Sequence, residues 1–82
     1  MNHKLIIIDD DVPFREQLTR SMEKKGFMVD AFGSVEKAKE CLKEKSFSHA
    51  IVDMRLEKGS GLEIIQFIKK NSPSTHSLLL TG

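Results

Sequence analysis

The chain has 82 residues, room for one domain at most, and combines 39% hydrophobic with 30% charged residues at a formal net charge of +1. That balance excludes a bulk basic field for nucleic acid, and the single cysteine, Cys41, excludes an internal disulfide framework. No apolar run approaches the ~20 residues that span a bilayer and the amino terminus lacks a signal-peptide pattern, so the reading is a cytoplasmic chain without a membrane partner.

Short apolar runs alternate with segments of helical period, which predicts a βαβαβαβ order. The first strand, Leu5-Ile6-Ile7-Ile8, is continuously apolar, as a strand covered on both faces must be, and it runs into Asp9-Asp10-Asp11. A helix over 13–25 follows, with Asp11 or Val12 at its cap, Phe14, Leu18 and Met22 on one face, and Gly26 as its stop. The second strand, 28–32, alternates and carries Asp30, which suits a sheet edge. Ser34 is the predicted N-cap of a helix reaching Glu44, with Val35, Ala38 and Leu42 turned to the core. The third strand, His49-Ala50-Ile51-Val52-Asp53, again ends on a carboxylate. A loop over 54–60 leads to a helix over 61–70 that uses Leu62, Ile65 and Ile68, and the last strand is Ser77-Leu78-Leu79-Leu80-Thr81.

Parallel strands joined by single helices cross over right-handedly, and the functional crevice of such a sheet lies at the carboxyl ends of its strands. In a flavodoxin-like strand order, 2-1-3-4, the first and third strands are neighbours, so Asp9, Asp10 and Asp53 converge. With strands about 4.8 Å apart, three carboxylates must either raise their pKa values or share a hard divalent cation. Magnesium suits them, since it takes one or two carboxylates, keeps several waters and accepts phosphate oxygens as further ligands. An aspartate beside such an ion is a competent nucleophile for phosphoryl transfer.

Ile6-Ile7-Ile8-Asp9-Asp10-Asp11, Val52-Asp53, Gly61 eight residues further on, and Leu79-Leu80-Thr81-Gly82 together resemble the response-regulator receiver domain, CheY-like in fold, over the whole chain. The resemblance implies that Asp53 accepts the phosphoryl group, that Asp10 ligates magnesium directly and Asp9 through water, that the backbone carbonyl of Arg55 is a further ligand, and that Thr81 is the switch hydroxyl. It implies a sensor histidine kinase as phosphoryl donor and a receiver that is not itself an enzyme. Met22-Glu23-Lys24-Lys25-Gly26-Phe27 and the stretch from Arg55 to Leu62 are similar to PrrA/RegA-type regulators, which implies control of DNA through an output domain outside these residues.

Two departures stand out. Glu57 occupies the position four residues after the acceptor where many receivers carry proline. The family also has five strands and five helices with a lysine ending strand five, whereas this chain reads as a single partial domain lacking strand five and helices four and five. It is therefore expected to be a truncated product or fragment, with Leu78-Leu79-Leu80 as an exposed edge that favours self-association.

Each feature also has a plainer explanation. Asp11 is expected to do no more than cap a helix, Thr81 alone is an ordinary strand residue, and Gly59-Ser60-Gly61 reads as a turn with Ser60 as N-cap. His3, His49, His76 and Cys41 show no ligand spacing and take no role. Two rival classes remain at this point: a haloacid-dehalogenase-type phosphohydrolase fragment with Asp9 as nucleophile, and a dimerisation module that never accepts phosphate.

Overall fold

The computed structural model describes residues 3–54, 56 and 60–80. Among them the element order is β1 (His3–Ile8), α1 (Val12–Lys24), β2 (Phe27–Phe32), α2 (Val35–Glu44), β3 (His49–Asp53), α3 (Gly61–Asn71) and β4 (His76–Leu80). The strands form one parallel sheet in the order β2-β1-β3-β4. The four-strand, three-helix reading and the strand order both hold. Boundaries shift by one or two residues, chiefly because β1 pairs from His3 and β2 from Phe27.

The central strand is the driest part of the molecule. Leu5, Ile6, Ile7 and Ile8 are all buried because β1 has a strand on each side and helices on both faces. Chain direction reverses relative to sheet order after β2, so α1 lies on one face while α2 and α3 share the other. On the α2/α3 face Ile6, Ile8, Val35, Ala38, Phe47, Ala50, Val52, Ile64 and Ile68 make one continuous core. Lys39 of α2 pairs with Glu63 of α3 across its surface.

Capping follows the sequence. Asp11 accepts from the Phe14 amide at 3.1 Å, Ser34 from Lys37 at 3.3 Å and Ser60 from Leu62 at 3.2 Å. Two helix faces are corrected. In α3 the buried positions are Gly61, Ile64 and Ile68, whereas Leu62 is 47% exposed. Of the predicted face, Ile68 is buried and Ile65 packs half-buried against the core, while Leu62 gives way to Gly61, which packs against the end of β3, and to Ile64. In α1 no residue is buried, and Phe14, read as core-facing, is exposed; Leu18 and Met22 are half-buried. One helix alone does not cover this face.

Candidate functional site

Because β1 and β3 are adjacent and parallel, with Ile8 opposite Val52, the residues that follow them meet at one rim. There Asp9, Asp10 and Asp53 each present a carboxylate oxygen within 4.8 Å of the other two. Among the described residues this is the group whose ligand atoms converge in the manner of a cation site. Asp9 is 5% exposed, while Asp10 and Asp53 are half-buried.

The peptide groups around Asp9 are fixed from several sides. Its N–H donates to the Phe32 carbonyl at the end of β2 at 3.0 Å, and Oδ1 accepts from the Asp11 N–H at 2.9 Å. Its carboxyl is held above the ordinary carboxylate range, first by burial and then by the charges of Asp53, Asp10 and Asp11; the Asp11 hydrogen bond opposes this. The rim thus stores like charge at close range.

Asp53 is supported from beneath. The Met54 N–H donates to the Leu80 carbonyl at 3.0 Å, which extends the β3–β4 ladder past Asp53. Helix α3 begins directly against this backbone: a Cβ on Gly61 would strike the Asp53 carbonyl oxygen and come within 2.9 Å of the Met54 Cα. Only glycine allows that approach. Spacing had marked Gly61 by resemblance alone; the contact gives the physical reason, and no local pattern in the sequence reveals it.

Of the predicted site residues, the fold brings together Asp9, Asp10 and Asp53, while Arg55 and Thr81 lie outside the described residues. Asp11 caps α1, as its plainer reading had it. His3, His49 and His76 begin β1, β3 and β4 at the opposite end of the sheet, where they and Phe27 form a row of ring contacts 5.4–6.0 Å between centroids. Cys41 is half-buried against the core and its thiol pKa is raised, chiefly by burial and also by Asp30 and Glu44. No described helix is long and apolar enough to cross a membrane.

A doubly wound parallel sheet with three carboxylates at its switch point is what a phosphoryl-accepting receiver requires, and residues 5–82 match the response regulator receiver domain family. The chain belongs to that family. It is 35% identical over 81 residues to the photosynthetic apparatus regulatory protein RegA of Cereibacter sphaeroides, covering 99% of this chain and 44% of RegA. It thus spans less than half the length of that relative. A response regulator protein from Burkholderia pseudomallei, solved with a phosphorylated aspartic acid, calcium ion and citrate, is similar at a TM-score of 0.93 and 29% identity, over 98% of this chain and 47% of that one. TrrA from Thermotoga maritima, solved in complex with Mg2+-BeF, is similar at a TM-score of 0.89 and 25% identity, over 96% of this chain and 69% of that one.

Proposed function

We propose that this chain receives a phosphoryl group on Asp53 from a sensor histidine kinase in the cytoplasm, with Mg2+ held at the acidic rim. The observation that carries the reading is the convergence of Asp9, Asp10 and Asp53 within 4.8 Å from the ends of two separate strands. Capping accounts for Asp11 but not for the convergence of Asp9, Asp10 and Asp53 from two strand ends. An oxygen-only donor set with buried like charge fits a hard divalent cation, and the calcium ion and phosphorylated aspartic acid of the Burkholderia relative, with the Mg2+-BeF of TrrA, support the assignment.

Asp10 and Asp53 would ligate the ion directly and Asp9 through water, with the Arg55 carbonyl as a further ligand. When bound, Mg2+ neutralises charge on the phosphoryl oxygens. A carboxylate oxygen of Asp53 attacks phosphorus, the bond from phosphorus to the donor breaks, and its electron pair leaves with the donor. Asp53 becomes an acyl phosphate, and Thr81 is the hydroxyl that responds to it. The chain acts as acceptor, not as a turnover enzyme. In a longer protein the state of Asp53 would govern a DNA-binding output domain, and the β4 edge, with Leu78 exposed, would allow self-association.

The test is incubation with acetyl phosphate and Mg2+, read by intact mass. One phosphoryl increment is expected on the wild type, none without divalent cation, and none on Asp53→Asn. Equal labelling of Asp53→Asn would overturn the proposal.

A further inference from the structure

Arg15, in the first turns of α1, lies outside the acidic trio yet is wired to it. Its Nη1 donates to the Asp9 carbonyl oxygen at 2.7 Å, a charge-assisted hydrogen bond. Its own backbone N–H donates to the Asp11 carbonyl at 2.8 Å, and its carbonyl accepts from Thr19 Oγ1 at 2.8 Å. The half-buried guanidinium lies across the end of β2, directly over Gly33, where a Cβ would come within 2.6 Å of Nη1. Gly33 is not in the left-handed region, so alanine suits its backbone, and the flexible arginine tip is what a methyl group would displace.

With the Asp9 N–H bound to Phe32 and the Asp9 carbonyl bound to Arg15, both flanking peptide groups of this carboxylate are locked. The turn between β1 and α1 has to aim a buried, charge-crowded side chain at its neighbours against their repulsion. A hydrogen bond to the main chain that holds this turn contributes to cation affinity without touching the cation.

We propose that Arg15 is a positioning residue for the acidic site and that Gly33 exists to let its guanidinium reach Asp9. The proposal rests on the reading of Asp9, Asp10 and Asp53 as a Mg2+ site. Two residues far apart in sequence thereby become one device, and this makes the proposal separable from a merely structural arginine.

The experiment is a MgCl2 titration of the 82-residue chain followed through the amide NMR shifts of Asp9–Asp11 and Met54, with thermal midpoints measured alongside. Arg15→Ala is expected to raise the Mg2+ Kd about tenfold, the low end for partners that orient metal ligands. Arg15→Lys should recover part of that loss, and Arg20→Ala, which removes the same charge from an exposed position on α1, should leave Kd unchanged. Gly33→Ala should weaken Mg2+ binding in the wild-type background and have no further effect in the Arg15→Ala background. If Arg15→Ala lowers only the thermal midpoint, or if Gly33→Ala acts equally in both backgrounds, the positioning role is wrong. A wild type whose shifts do not respond to Mg2+ would instead remove the metal-site reading and this inference with it.

Discussion

On the face covered by α2 and α3, Ile6, Ile8, Val52, Ile64 and Ile68 have essentially no solvent exposure. On the face covered by α1, Leu5 and Ile7 of β1 are buried too, but no residue of the helix itself is, Leu78 is 57% exposed, and Leu5, Met22, Phe27, His49, Ile51 and Leu78 line an open groove of about 240 Å³. The strands are the same on both sides, so the difference lies in how much helix each face receives. Stability is therefore concentrated on the α2/α3 face. The carboxylates stand at the rim shared by both, anchored through β1 and β3, which either face supports.

The largest test of that asymmetry is a matched pair of truncations. Ile68→Ala on the sealed face is expected to cost about 3–4 kcal/mol by urea unfolding, because it leaves a cavity among residues that cannot collapse into it. Met22→Ala on the α1 face should cost less than half as much, and equal losses would break the comparison. Next in size, Gly61→Ala should destabilise by about 2–3 kcal/mol, since the added methyl pushes α3 away from the Asp53–Met54 backbone. It should also weaken Mg2+ binding, as the sealed face and the site meet at this residue.

Mg2+ at a hundredfold excess over its Kd is expected to stabilise the wild type by about 2.7 kcal/mol, with the gain strongly reduced in Asp53→Asn. Without divalent cation, Asp9→Asn should be more stable than the wild type at pH 7 by on the order of 1 kcal/mol, the scale of like charges about 5 Å apart under solvent screening. Its pH dependence has a definite sign. The folded-state pKa of Asp9 lies above the ordinary 3.8, so the folded chain binds this proton more tightly than the unfolded chain does. The penalty is fully present above the raised pKa, fades as pH falls from there towards 3.8, and is gone below it. The advantage of Asp9→Asn should shrink through that same window. Smallest in stability, Leu78→Lys should change the unfolding free energy by less than about 0.5 kcal/mol while reducing association in sedimentation velocity.

What could be read from the sequence follows the range of the forces involved. The isoleucine run of β1, the acids that end β1 and β3, and the caps Asp11, Ser34 and Ser60 are local or periodic signals, and each stands where expected. The convergence of Asp9, Asp10 and Asp53 followed once strand order was assumed, because topology places them together regardless of side-chain detail. Leu62 is exposed against expectation because spacing alone permits several apolar stripes on α3, and the nonlocal contact between Gly61 and Asp53 favours a neighbouring one. Phe14 is exposed for a related reason: an amphipathic stripe specifies which side faces the sheet, not how much covers it. The Arg15–Gly33 pair leaves no trace in any motif, since it depends on the start of α1 lying beside the end of β2.

The most direct test of the account is to locate the phosphoryl group. After acetyl-phosphate treatment with Mg2+, borohydride reduction converts an aspartyl phosphate to homoserine, and peptide sequencing by mass spectrometry identifies its position. Homoserine is expected at residue 53 and absent in Asp53→Asn. Homoserine at residue 9, retained in Asp53→Asn, would contradict this expectation and make Asp9 the nucleophile of a different chemistry.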